Sequence, residues 1–522
     1  MRPSVIVVGG GISGLAAAWE LRDEADVTVL ESGGRVGGKL RTGTFAGVAV
    51  DEGAESLMAL RPEAVRLARE VGLGGELCDP AASPTTLWSG GALRPLPAGH
   101  VMGVPADPAA LAGTGLLSPE GVERAAREAE LPAAPLAGDC SVGAYLTARF
   151  GREAVDRLVE PLLGGVYAGR ADHLSLRATM PRLAAIAERG EPLLPSLTRM
   201  RSAGAGRAAG AAGAAEPAGA AGRAAATGAT GQAGAAGPAG AAGPAGPAGA
   251  AGAAGSPSAA AAQGAAAPAR APVAVQGVVG GTGRFAQAVA AASGARILTG
   301  TTARALSPTP SGRWSVRADT GDGPLTLTAD AVVLALPAFA AAELLLPHAP
   351  LAGEELAAIP HASTAVITLA FSRARAQHLP EGNGFLVPPV DGRTLKAASF
   401  LSNKWAWLGA AAPDLFVLRA SVGRSGEDAP LRLSDRDLVR RTVGELHRAA
   451  GPLGEPVASR VTRWDRGLPQ YGVGHRDRVT RIREAAAKLP RLGLCGAAYE
   501  GVGVAACVAT GRSAAREALT AL

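Results

Sequence analysis

The spacing of apolar positions changes along this chain, and each change marks an element. Val5-Ile6-Val7-Val8 and Val27-Thr28-Val29-Leu30 are short, nearly unbroken apolar runs, the pattern of strands covered on both faces. Ile12 to Arg22 lies between them with helical spacing, so the start of the chain predicts a strand, a helix and a second parallel strand. From about Pro62 to Arg201 the periodicity is mostly helical, and Ser141 to Leu163 predicts the clearest helix. Farther on, Arg296 to Leu298, Trp314 to Ala318, Leu325 to Leu327 and Val332 to Leu336 predict strands joined by turns. Ala365 to Phe371, Phe385 to Val387 and Leu415 to Ser421 add strands in a mixed region. Gly493 to Cys495 predicts a last strand and Val502 to Leu519 a last helix.

The patterning fails at 202–272, where the sequence reduces to Ala, Gly and Pro, with glycine at every third position between Gly231 and Gly255. Side chains this small cannot offset the entropy of ordering a core. The triplet spacing fits a short collagen-like triple helix, but the prolines are few. A disordered low-complexity insertion is the preferred reading.

At 522 residues the chain is long enough for more than one domain. Its 51 basic and 45 acidic residues give a net charge of +6 spread without a long basic run, which argues against a nucleic-acid partner. Cys78, Cys140, Cys495 and Cys507 are too scattered for a disulfide framework or a metal site. With no leader pattern after Met1 and no apolar run of the roughly 18 residues a span requires, the expected location is the cytoplasm, with at most peripheral membrane contact.

The strand Val5-Ile6-Val7-Val8 runs into Gly9-Gly10-Gly11-Ile12-Ser13-Gly14. This is Gly-x-Gly-x-x-Gly spacing at a strand-to-helix junction. Gly9 permits the turn, Gly11 lets a diphosphate approach the backbone, and Gly14 lets helix pack on strand. Glu31 ends the second strand, where a carboxylate accepts hydrogen bonds from an adenosine ribose. The continuation, Glu31-Ser32-Gly33-Gly34-Arg35-Val36-Gly37-Gly38-Lys39-Leu40-Arg41-Thr42, resembles the signature of the amine oxidase and phytoene desaturase flavoproteins. In it Arg35 and Lys39 offer cations to the diphosphate.

Four further segments resemble one group within that superfamily, the protoporphyrinogen and coproporphyrinogen oxidases. They are Asp51-Glu52-Gly53-Ala54-Glu55-Ser56, then Val159 to Gly169 continuing through Leu174-Ser175-Leu176-Arg177-Ala178, then Trp464 with Leu468 to His475, and finally Gly496 to Val504. The resemblance spans nearly all of the chain outside the Ala/Gly stretch. It implies FAD contacts at Gly9, Gly10, Gly11, Ile12, Ser13, Gly14, Glu31, Ser32, Lys39, Gly53, Ala54, Glu55, Ser56, Ala303, Trp464, Val502, Gly503 and Val504. Ala303 stands where valine is more usual, with little consequence for a backbone contact.

The resemblance also implies an α/β fold with a discontinuous Rossmann-like FAD-binding domain, a mixed α+β substrate domain and a helical subdomain. The expected FAD-binding pieces are 1–73, 273–340 and 489–522, with substrate-domain pieces 74–95 and 341–488 and the helical subdomain at 96–201. The implied reaction is oxygen-dependent, six-electron oxidation of a porphyrinogen in heme biosynthesis, with three O₂ reduced to three H₂O₂. Coproporphyrinogen III is favoured over protoporphyrinogen IX because the pattern looks most like the soluble Gram-positive type. The flavin carries the chemistry, so no catalytic side chain and no metal ligand is assigned.

Tyr167 and Gly169 are expected to line the substrate pocket, with Arg61, Arg94, Arg177 and Lys404 as candidate cations for the substrate carboxylates. His475 is read as structural. Partners are the porphyrinogen, oxygen and a transiently docked downstream heme-pathway enzyme. An amine oxidase, a carotenoid desaturase and a non-catalytic FAD-binding scaffold remain the alternatives.

Overall fold

A computed structural model describes residues 2–81, 85–132, 135–200, 274–376, 378 and 380–520. The Ala/Gly/Pro stretch at 202–272, and both readings of it, lie outside the described residues.

The apolar runs pair first with one another. Five parallel strands form a sheet in the order Arg296–Leu298, Asp26–Leu30, Ser4–Val8, Ala331–Leu334, Leu492–Leu494. Both faces are covered, which explains the unbroken hydrophobic strands. Val5 and Val7 pack with Ala17, Ala18, Ala514 and Ala515 of the helices Ile12–Leu21 and Val504–Thr520. Ile6 and Val8 pack on the opposite face with Leu306, Trp314 and Val316, which belong to an antiparallel meander of Thr302–Pro308, Trp314–Thr320 and Gly323–Ala329.

The two helices that cover this sheet touch each other closely. A Cβ at Gly511 would collide with the Ser13 carbonyl, so glycine is what permits the approach. Toward their other ends Glu20 receives Arg512 at 2.6 Å and Arg516 at 2.8 Å. Because low numbers meet low and high meet high, the helices run in the same direction and their N-termini open at the same edge of the sheet.

A second sheet has seven strands in the order Ala458–Pro469, His361–Ser372, Leu415–Val422, Leu395–Ser399, Gly384–Leu386, Thr85–Ser89, Ala92–Pro95. Ile367, Leu369, Phe416, Leu418 and Ala420 bury one face against Leu438, Val443 and Leu446 of the helix Asp435–Ala450. On the opposite face Ala397, Ser399, Arg419 and Ser421 remain partly accessible, although their strands have neighbours on both edges. Val417 of the same face is buried against Phe45 and Trp405, so this face is partly covered and partly accessible.

The stretch after Pro62 is mostly helical, interrupted by a hairpin of Thr85–Ser89 and Ala92–Pro95 at the edge of the second sheet, and two expectations beyond it require correction. The helix expected over Ser141 to Leu163 is broken. It divides into Val142–Phe150, Arg152–Ala154, a wide turn at Val155–Val159 and Glu160–Tyr167. Gly151 adopts φ +88°, outside helical space, and Pro161 lacks the N–H that an ordinary turn requires. The last helix starts at Val504 rather than Val502, after Gly501 at φ +143°. No helix among the described residues is long and apolar enough to cross a membrane.

Candidate functional site

The strand Ser4–Val8 ends in a turn that only glycine can make. Gly9 has φ +111°, and a Cβ there would strike the backbone of Ala335. A Cβ at Gly14 would strike the Gly9 carbonyl and lie 3.1 Å from the Val7 side chain, so this glycine sets how closely helix and strand approach. Gly11 differs from both: nothing lies within 4 Å of where its Cβ would be. Space is therefore kept in front of Gly11, at the N-terminus of the helix Ile12–Leu21, where free N–H groups and the helix dipole favour an anion.

Glu31 closes one end of this space. Its carboxylate accepts from the Gly10 N–H at 2.8 Å and the Gly33 N–H at 2.7 Å. The following loop folds back, with the Gly37 N–H donating to the Gly10 carbonyl at 2.8 Å, and Ser32 stands exposed at its start. The exposed Arg35 guanidinium donates to the carbonyls of Val36 at 3.0 Å and Gly38 at 2.9 Å, so it braces the loop beside the cradle. Lys39 remains accessible to solvent, and the protein packed around it lowers its pKa by desolvation.

The hairpin of Thr42–Phe45 and Val48–Asp51 carries the next wall. Asp51 anchors it, accepting from Thr42 Oγ1 at 2.5 Å and from the Thr282 backbone N–H at 2.9 Å, while burial pushes its carboxyl up to about 6. A Cβ at Gly53 would collide with the Lys39 carbonyl and come within 3.2 Å of the Trp464 ring. The Trp464 indole N–H donates to the Glu52 carbonyl at 2.8 Å, and the Ala54 N–H donates to the Lys39 carbonyl at 3.1 Å. Gly53, Ala54, Lys39 and Trp464 are thus one contiguous surface, with Glu55 and Ser56 continuing the same loop. Ala303 lies at the Glu31 end instead, in the strand that follows the Thr301 N–H to Glu31 carbonyl bond of 2.9 Å.

The last helix opens onto the same region. Gly501, Val502 and Gly503 precede Val504–Thr520, whose first turn carries no acidic residue to cancel its dipole. The Gly501 N–H donates to the Tyr471 hydroxyl at 2.9 Å, and that hydroxyl donates to the Ala497 carbonyl at 2.5 Å. Tyr471 and its role are not legible in the sequence, although the segment that carries it is. The ring of Tyr167 lies 5.8 Å from that of Tyr471, and burial raises the Tyr167 phenol to about 12.

The candidate cations separate. Arg61 lies beside the last helix: a Cβ at Gly501 would come within 3.7 Å of its guanidinium, and its nearest acid, Glu63, is 3.9 Å away. Lys404 is bound to Glu55 at 2.5 Å and Arg177 to Glu188 at 2.7 Å, so neither presents a free charge. Arg94 packs at Gly115. Gly169 is not open to a cleft either, because a Cβ there would meet Gln470 Oε1 at 2.5 Å and Leu174 at 2.8 Å. His475 is 2 % exposed and stacks on Tyr471 with ring centroids 3.9 Å apart, and burial lowers its pKa to about 4. It stays neutral, as a structural histidine should.

The donor set fits a dinucleotide: a carboxylate at the ribose end, a glycine cradle that leaves the helix start open to an anion, a lysine on the adjoining loop, and a second helix start farther along. The profile of the flavin containing amine oxidoreductases matches residues 12–519. The chain belongs to that family. This flavoprotein is an FAD-dependent oxidoreductase. It is 30% identical to the coproporphyrinogen III oxidase of Bacillus subtilis (strain 168), over 99% of its own length and 98% of the relative's. It is 33% identical to the coproporphyrinogen III oxidase of Propionibacterium freudenreichii, over 99% and 91%. A solved structure from Exiguobacterium, provisionally described as a protoporphyrinogen oxidase, superposes on the flavoprotein with a TM-score of 0.76 at 29% identity, covering 99% of this chain and 98% of that one.

Proposed function

We propose that this flavoprotein oxidises coproporphyrinogen III to coproporphyrin III, with molecular oxygen as the final acceptor. The observation that carries the reading is the end-to-end similarity to coproporphyrinogen III oxidases. It is supported by the adjacency of Tyr167, Arg61 and the last helix start, three features from distant parts of the sequence.

Bound FAD supplies a two-electron acceptor, so one porphyrinogen requires three rounds. The chain's residues bind and orient. Gly9 to Gly14 with Glu31, Ser32, Lys39 and Ala303 hold the dinucleotide end, while Gly53 to Ser56, Trp464 and Val502 to Val504 flank the ring end. The N–H groups that open Val504–Thr520 oppose negative charge on the reduced ring. Arg61 offers a cation to a substrate carboxylate. The partly accessible face of the seven-stranded sheet, with Ser399, Arg419 and Ser421, is the surface this reading assigns to the macrocycle. We assign the five-stranded sheet to the FAD-binding domain, built from residues 1–73, 273–340 and 489–522, and place the reaction in the cytoplasm.

Protoporphyrinogen IX is the second reading, favoured by the description of the Exiguobacterium structure. Anaerobic mixing of the yellow protein with each porphyrinogen distinguishes the two. Coproporphyrinogen is expected to bleach the flavin at least tenfold faster, and equal or reversed rates overturn the assignment.

A further inference from the structure

Tyr471 joins three parts of the chain that are far apart in sequence. It follows the strand Ala458–Pro469, its carbonyl accepts the Ser175 N–H at 2.8 Å, and its hydroxyl bridges the Ala497 carbonyl and the Gly501 N–H. The ring has little freedom to move. It is 1 % exposed, His475 stacks on it at an interplanar angle of 13°, and Tyr167 lies against it. The preceding residue is pinned too, because the Gln470 amide donates to the Tyr167 carbonyl at 2.7 Å. The hydroxyl therefore acts from a fixed point on a backbone that is otherwise permissive, since Gly501 and Gly503 lack the side chains that would hold a conformation.

We infer that Tyr471 is a positioning residue for flavin reduction: its hydroxyl fixes the Gly501–Val504 backbone so that the opening N–H groups of the last helix stay aimed at the cofactor ring. This rests on the proposed placement of the flavin. The electrostatic benefit of a helix start falls off within a turn, so even a small drift of this loop costs stabilisation of the reduced ring. His475 contributes by holding the phenol from behind and lies against the backbone of Ala498 and Tyr499, just ahead of the loop.

The test is the midpoint potential of the purified, FAD-loaded protein, measured by reductive titration with an indicator dye. In Tyr471→Phe the reduction equilibrium is expected to fall about tenfold, a shift of about 30 mV to more negative potential for a two-electron couple, with FAD still bound. His475→Leu is expected to shift it in the same direction by less, and this variant carries the test if Tyr471→Phe does not fold. A variant with lower thermal stability and unchanged potential shows a merely structural tyrosine and overturns the inference. A wild-type protein that binds no FAD overturns the proposed function instead, so the two failures are separable.

Discussion

At the scale of single residues, the site is defined as much by side chains that are missing as by those present. Glu31 gathers the Gly10 and Gly33 N–H groups on one carboxylate, and hydrogen bonds to a charged group contribute about 1.5–3 kcal/mol each. Glu31→Ala should weaken FAD binding by roughly 10- to 100-fold, measured as flavin fluorescence quenching in a titration of apoprotein. Gly169 presents the opposite case. Gly169→Val would push on Gln470 Oε1 and Leu174, and overpacking of this kind costs about 1–3 kcal/mol. A lower Tm is therefore expected alongside any loss of turnover, and calorimetry checks it. His475, held near 4 by burial, should contribute no titration to kcat between about pH 5 and 8, the range where an ordinary histidine changes charge. A profile whose limb disappears in His475→Gln would contradict this.

At the scale of elements, the pairing of the first and last helices holds the two N-termini together. Gly511→Val should separate them at Ser13 and Ala16, lowering stability by roughly 1–3 kcal/mol and weakening FAD retention in the same variant, both followed by thermal melts with flavin release as the signal. The glycine turn, its flanking strands and the last helix are legible in the sequence because each is a local pattern. The hairpin of Thr85–Ser89 and Ala92–Pro95 has a local signal too, the Gly90-Gly91 turn with φ +61° and +80°, which the helical periodicity around it outweighed. Its place in the sheet is not local: Leu87 pairs with Leu386 from a remote strand, and no local periodicity records a partner that distant. Lys404 shows the same limit. Its neighbour Glu55 comes from the segment that follows the strand Val48–Asp51 and carries Gly53, so a lysine that looks available in the sequence is already paired in the fold. The division of the long helix at Gly151 and Pro161 had visible causes, and the apolar spacing outweighed them.

At the scale of the whole molecule, the cofactor loop and the large sheet are joined by charge. Burial alone would raise the Glu55 pKa, but the Lys404 ammonium and the Arg419 guanidinium overcome it and hold the carboxyl near 2. Its folded-state pKa is thus below the ordinary value of 4.5. The resulting stability is present in full above about 4.5 and is lost as pH falls toward 2. Lys404→Met leaves Glu55 with Arg419 alone and should destabilise the protein by about 3 kcal/mol near neutrality. The double variant Glu55→Gln, Lys404→Met should regain much of that loss. Urea unfolding at pH 7 and pH 4 checks both, and a single variant as stable as wild type would remove the charge link from the account.

The last helix also ties the glycine cradle to a distant part of the chain. The cradle's own helix, Ile12–Leu21, packs against Val504–Thr520, which supplies a second N-terminus at the same edge. A fragment cut before Val504 keeps every glycine of the cradle and loses the surface its helix rests on, so it should remain colourless when offered flavin.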